Sequence, residues 1–179
     1  MLREHFADRR RVLEIGSGTG QHAVFFATQL PHLVWQCSDR AANLPGIRAW
    51  IGEAQIPNTP APIELDVAGE WPTARFDAVF SANTLHIMSW SEVELMFRRL
   101  PGILVEGAKL VVYGAFNYQG CFTSDSNAAF DAELRSRAGH QGLRDFEAVD
   151  ALAVRAGLLL TDDIAMPSNN RCLIWRKAR

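Results

Sequence analysis

Val12-Leu13-Glu14-Ile15-Gly16-Ser17-Gly18-Thr19-Gly20 is the stretch on which the fold turns. A short apolar run ends at Glu14 and Ile15, and three glycines then alternate with small polar residues. The pattern predicts a buried parallel strand that passes through a tight turn into a helix starting near Gln21. Glycine tolerates positive φ and lets a ligand lie close to the main chain. The first N–H groups of the following helix would face the same ligand. A nucleotide-like cofactor is therefore expected at this turn.

Working outward, strand and helix alternate. Strands are expected at 11–15, 33–37 (closing at Asp39), 63–65, 77–82, 109–115, 158–164 and 171–176. Helices are expected at 20–30, 41–53 with a start nearer Pro45, after a Ser91-Glu92-Val93-Glu94 capping box, near 127–138, and from Asp145 to a stop at Gly157. Such alternation predicts an α/β fold with a doubly wound sheet covered on both faces. The last two strands are joined by only Ala165 to Asn170, too short for a crossover helix. They must run antiparallel. The expectation is one domain over residues 1–179, built on a mostly parallel seven-stranded sheet with one antiparallel strand.

Composition narrows the function classes. The chain has 179 residues, 48% of them hydrophobic, and a formal net charge of −2. That supports a packed core and gives no general polyanion-binding surface, so nucleic acid is not an expected partner. No apolar run approaches the roughly 20 residues that cross a bilayer, and Met1 to Phe6 lack the apolar core of a secretory signal. Cys37, Cys121 and Cys172 are isolated, and neither they nor the five histidines show metal-ligand spacing. Three reduced thiols in a cytoplasmic protein without a metal are expected.

The glycine spacing separates cofactor classes. A dinucleotide fingerprint is G-x-G-x-x-G. Here the third glycine comes one residue early, and the E-x-G-x-G-x-G order resembles motif I of the class I S-adenosylmethionine (SAM) dependent methyltransferases, a Rossmann-like family. The resemblance implies a cofactor site made by Glu14, Gly16, Ser17, Gly18, Gly20 and His22, with Glu14 near the methionine end. Asp39 follows Gly20 by nineteen residues, the distance at which an acidic residue accepts from ribose hydroxyls. The alternative for Asp39 is a helix N-cap. Asp66 and Val67 close the third strand, where the resemblance implies an adenine contact. Asn83 and His86 follow the fourth strand, the position of the family's motif IV beside the transferable methyl.

Candidate acceptor-site residues come from the same strand ends. His86 is the candidate base, and Asn83 and Tyr118 complete the proposed catalytic set. Trp90, Asn117, Asn170 and Arg171 are candidate substrate-binding residues. The polar and aromatic segment Phe116 to Asn127 is read as a substrate lid, because a long connection of this kind needs a functional reason.

A closer resemblance is carried by Leu13-Glu14-Ile15-Gly16-Ser17-Gly18-Thr19-Gly20-Gln21-His22, Ala82-Asn83-Thr84-Leu85-His86-Ile87-Met88-Ser89-Trp90, Phe116-Asn117-Tyr118 and Asn169-Asn170-Arg171. Together these phrases resemble the methyltransferase-like family known as domain of unknown function 938, over nearly the whole chain. The family implies SAM binding and names no agreed substrate. Members carry a longer segment before the first strand, whereas ten residues precede Arg11 here, implying a truncated chain, a late start or a more open pocket. The expected function is SAM-dependent methyl transfer to a small-molecule acceptor. Two alternatives stand beside it: a SAM-binding regulatory or partner-dependent module, and a nucleotide-dependent oxidoreductase, which the glycine spacing disfavours.

Overall fold

The computed structural model describes residues 1–178. In chain order the helices are α1 (Leu2–His5), α2 (Gln21–Gln29), α3 (Leu44–Ala54), α4 (Trp90–Arg99), α5 (Asp125–Arg137) and α6 (Phe146–Arg155). The strands are β1 (Arg11–Ile15), β2 (Val34–Asp39), β3 (Ile63–Glu64), β4 (Phe76–Ala82), β5 (Leu104–Gly114), β6 (Phe116–Asn117), β7 (Arg144–Asp145), β8 (Leu158–Met166) and β9 (Asn170–Lys177). Seven strands form one sheet in the order β3-β2-β1-β4-β5-β9-β8, and β6 pairs with β7 separately. All neighbours in the large sheet are parallel except those of β9, which runs antiparallel to both β5 and β8. This is the class I methyltransferase fold, with the single antiparallel strand inside the sheet and β8 at its edge.

Period-two alternation sorts the strands' side chains onto two cores. Leu13, Ile15, Val79, Leu110, Val112, Leu173 and Trp175 pack with α4 and α6. Val12, Trp35, Cys37, Ala78, Phe80, Val111 and Ile174 pack with α1, α2 and α3 on the opposite face. Burial on both faces explains the unbroken apolar stretches Val12-Leu13 in β1 and Ala78-Val79-Phe80 in β4.

The expected elements are present, with shifted bounds. The α4 capping box is built two residues earlier than expected. Ser89, not Ser91, is the N-cap: its Oγ accepts from the Glu92 N–H, and the Ser89 N–H donates to Glu92 Oε2 at 2.6 Å. Both serines offer the same S-x-x-E spacing. The earlier start brings Trp90 into the helix, where it packs on the α4 core. Strand β5 starts at Leu104 rather than 109, and its register with β4 shifts between the Phe76–Leu104 and Ala78–Lys109 pairs. Asp145 precedes α6 as expected, but its side chain makes no capping bond. The β8–β9 connection is the tight turn Pro167–Asn169, with Ser168 and Asn169 both left-handed at φ 60° and 57°.

The chain runs outward from β1 to β2 and β3, then returns to place β4 on the other side of β1. That reversal opens a crevice at the carboxyl ends of β1 and β4, where open α/β sheets bind ligands.

Candidate cofactor and acceptor site

A cavity of about 960 Å³ occupies this crevice. Its floor is the glycine turn. The N–H groups of Gly16 and Ser17 donate to the Ser38 carbonyl at 3.1 and 3.0 Å, and the Ser38 N–H donates back to Ser17 Oγ at 3.1 Å. The turn is thus pinned to β2. Gly16 sits at φ 76°, and a Cβ added there would lie 2.5 Å from Thr84 Oγ1. Only glycine lets this turn close against the loop that follows β4. Gly18 faces open space, and its N–H donates to Asp39 Oδ2 at 2.7 Å. Beyond it, Gln21 and His22 of α2 line the cavity at the helix N-terminus.

Asp39 joins this floor to the side wall. Its Oδ1 accepts from the Arg40 N–H and from Asn43 Nδ2, both at 2.8 Å. These bonds fix the carboxylate at the cavity wall. Arg40 reaches across the mouth, pairing with Glu92 at the start of α4 and with Asp66 Oδ2 at 3.4 Å. Leu65 and Val67 add an apolar patch, and Ala82, Asn83, Thr84, Ile87 and Met88 form the opposite wall. Asn83 is itself left-handed at φ 54°, with its N–H bonded to the Tyr113 carbonyl.

Glu14 lies behind the floor and is fully buried. Its Oε2 accepts from Ser17 Oγ at 2.9 Å and Trp35 Nε1 at 3.0 Å. Its Oε1 has no hydrogen-bond partner and lies 3.9 Å from His22 Nδ1. Burial pushes the Glu14 carboxyl up from 4.5 to about 6, against the lowering effect of the Trp35 and Ser17 bonds. Burial also holds His22 below its ordinary value, so near neutrality a mostly ionised Glu14 faces a neutral imidazole rather than a cation. The folded protein binds the Glu14 proton more tightly than the unfolded chain, so stability falls as pH rises from 4.5 past about 6. A rise of that size corresponds to about 2 kcal/mol. The stability difference between the protein and Glu14→Gln is therefore expected to change by about that amount between pH 4.5 and 7, read by urea unfolding. Parallel profiles would show that the carboxyl is not strained.

Among the residues named from sequence, Gly16, Ser17, Gly18, His22, Asp39, Val67 and Asn83 line this one cavity. Gly20 is the α2 N-cap and packs against Ile47 instead. Asp66 turns away toward Arg40 and the Ala68 N–H. His86 is buried next to the wall, its ring edge-on to Phe130 at 5.2 Å between centroids. Burial, with help from the Arg144 guanidinium, pushes His86 down to about 4. Trp90 packs on the α4 core. Tyr118, Asn170 and Arg171 gather around a second cavity of about 320 Å³. There the Tyr118 hydroxyl donates to Asp163 Oδ2 at 2.8 Å, and Arg171 Nε donates to Asp163 Oδ1 at 2.8 Å. Tyr118 stacks on Phe146 and carries Arg171 above its ring, and burial raises its hydroxyl pKa. Asn117 is buried in β6, its Oδ1 without a partner. The segment expected as a lid is largely built structure: β6, a Tyr118–Cys121 turn and the start of α5.

The sequence did not point to Arg40, Glu92, Thr84, His140 or Gln141 as site residues, and all of them line the large cavity. Arg40 had a usable signal, since it follows Asp39 at a strand end. His140 and Gln141 had none, because they arrive from the α5–β7 connection. Among the described residues, no group of three or more His, Cys, Asp and Glu side chains is placed to hold a metal, and no helix is long and apolar enough to cross a membrane.

A family model described as "Protein of unknown function (DUF938)" matches residues 1–177. Among solved structures, an O-methyltransferase family protein from Burkholderia thailandensis is similar over 97% of this chain and 52% of its own, at 18% identity and a TM-score of 0.87. The mitomycin 7-O-methyltransferase MmcR is similar over 97% of this chain and 50% of its own, at 18% identity and a TM-score of 0.86. PigF, solved with S-adenosylhomocysteine (SAH), is similar over 96% of this chain and 51% of its own, at 14% identity and a TM-score of 0.83. At these identities the likeness is one of fold. The chain spans about half the length of each of these structures.

Proposed function

The chain belongs to the DUF938 family of proteins of unknown function, and from that premise we propose that it is a SAM-dependent methyltransferase acting on a small-molecule acceptor. One observation carries the reading. The open Gly18 main chain is bonded to the Asp39 carboxylate on the floor of a cavity at the sheet's reversal point.

The residues present fit the cofactor. Asp39 offers a fixed carboxylate to ribose hydroxyls, and Leu65 and Val67 offer an apolar slot to adenine. The glycine turn and the α2 N-terminus leave room for the amino-acid end beside His22, with the unpartnered Glu14 oxygen behind it. Bound SAM supplies an electrophilic methyl on a sulfonium cation. What the chain contributes is alignment, which can lower a barrier by roughly 7–11 kcal/mol. Asn83 stands at the end of β4 with both a donor and an acceptor for orienting a polar group. The cavity is of the size that holds small ligands, and we assign the acceptor to that class. Cys37, Cys121 and Cys172 are free thiols, which supports a reducing, cytoplasmic location.

A SAM-binding module that needs a partner for transfer is the second reading. It is favoured by His86, the sequence's candidate base, being buried away from the cavity.

Calorimetry with SAM and with SAH is the deciding experiment, followed by methyl-labelled SAM with a cell metabolite extract and mass spectrometry. Binding of both ligands and one labelled product are expected. No heat with either ligand on folded protein would overturn the assignment. Binding without any product would favour the partner-dependent reading.

A further inference from the structure

The connection between α5 and β7 reaches the large cavity from the side opposite to the ribose-end residues. In the sheet order β2-β1-β4-β5, Asp39 follows β2, the glycine turn follows β1 and Asn83 follows β4. Strand β7 is paired to β6, which follows β5. So residues 138–143 approach from the β5 side, away from Asp39.

This connection is held in place firmly for an irregular segment. Arg144 Nε donates to the Leu85 carbonyl at 3.0 Å, and its Nη2 donates to the carbonyls of Met88 and His140, the latter at 3.1 Å. The Gly142 N–H donates to the His86 carbonyl at 2.9 Å. On its other side the Leu143 N–H donates to the buried Asp131 carboxylate at 2.7 Å, and Asp131 is paired with Arg135. A Cβ at Gly142, which has φ 147°, would meet Asp131 Oδ1 at 2.8 Å. Three bonds to the loop after β4 and one to α5 thus fix where His140 and Gln141 stand on the cavity wall.

Two histidines must be told apart: His86 follows β4 and His140 follows α5. His86 is buried, packs on Phe130 and does not line the cavity. His140 is exposed and does line it. Its imidazole has access to water, so a proton taken from a ligand has a route out.

We propose that residues 138–143 form the acceptor-side wall of the cavity and that His140 takes the acceptor's proton. The inference rests on the methyl-transfer reading. It also narrows the acceptor to one whose nucleophilic oxygen or nitrogen carries, at neutral pH, a proton that must leave, such as a phenol or an ammonium group. In the step, the nucleophile–methyl bond forms as the methyl–sulfur bond breaks, its electron pair going to sulfur. The proton on the nucleophile passes to a ring nitrogen of His140 and then to solvent. His86 is a positioning residue in this scheme, its carbonyl holding Gly142.

The test uses SAH as the probe, with the imidazole resonances followed by NMR and assigned with His140→Asn. On saturation the His140 and His22 ring signals are expected to move. His32, which precedes β2 at the opposite end of the sheet, is expected to stay. In parallel, His140→Asn is expected to lower formation of labelled product from methyl-labelled SAM and extract by about 10²–10⁴-fold, with SAH affinity within about twofold of the parent. Product formed at the parental rate would overturn the proposal, as would an unmoved His140 signal beside a moved His22. If no product forms with the parent protein, the base role of His140 falls with the methyl-transfer reading, and the NMR result decides the wall assignment by itself. Absence of SAH binding would instead sink the methyl-transfer reading beneath it.

Discussion

Gly16→Ala is expected to lower the melting temperature by about 5–15 °C, whereas Gly18→Ala lowers it by about half as much. The two glycines share a loop and a positive φ, at 76° and 59°. A left-handed conformation costs a residue bearing Cβ about 1–2 kcal/mol at either site. They differ in what the added methyl meets. At Gly16 it meets Thr84 Oγ1 at 2.5 Å and Thr84 Cγ2 at 2.7 Å, while at Gly18 it meets nothing within 4 Å. Thr84 has little freedom to withdraw, because its hydroxyl donates to the Ala82 carbonyl at 3.0 Å. Overpacking of this kind adds about 1–3 kcal/mol. Thermal unfolding followed by circular dichroism reads the difference. Equal shifts for the two variants would mean that the turn does not close against the β4 loop.

Asp39→Ala is expected to weaken binding of both SAM and SAH by about 30–1000-fold, the equivalent of about 2–4 kcal/mol. Bonds from ligand hydroxyls to a carboxylate are charge-assisted, and both would go. The substitution also frees the Gly18 N–H and Asn43 Nδ2, which Asp39 now holds at 2.7 and 2.8 Å. Asp39→Asn keeps one acceptor for Gly18 and is expected to fall between the two. Calorimetry checks the series, with circular dichroism to show that each variant is folded. Undiminished affinity in Asp39→Ala would remove the carboxylate from the cofactor site.

The topology was legible because its signals are local. Val12 and Leu13 open a run buried on both faces, Gly16 to Gly20 force a turn, and six residues between the last strands exclude a crossover. The capping box was harder, since two overlapping S-x-x-E frames were present and tertiary packing of Trp90 chose between them. Helix α5 was visible only coarsely: its buried side chains include Asn127 and Asp131, so polarity hides its inward face. The cavity residues that could be named in advance are those that follow β1, β2 and β4 directly. The rest could not. His140 is brought to the cavity by Arg144 bonding to carbonyls of Leu85 and Met88, more than fifty residues away, and main-chain acceptors leave no trace in side-chain identity. Tyr118, Asn170 and Arg171 illustrate the converse. They lie at strand ends, as expected, but Asp163 on the edge strand draws Tyr118 and Arg171 into a cluster of their own.

Strand β9 lies between β5 and β8, although β8 is made first. During synthesis on the ribosome, β8 therefore emerges with no neighbour to join, presenting Leu159 and Leu160, which stay partly exposed even at the end. The nascent chain must wait for Asn170 to Lys177 before the gap between β5 and β8 can be filled. Until then both borders of that gap are unpaired, a state prone to aggregation. A nascent chain stalled before residue 170 thus keeps both borders open, and arrival of the last strand closes them together.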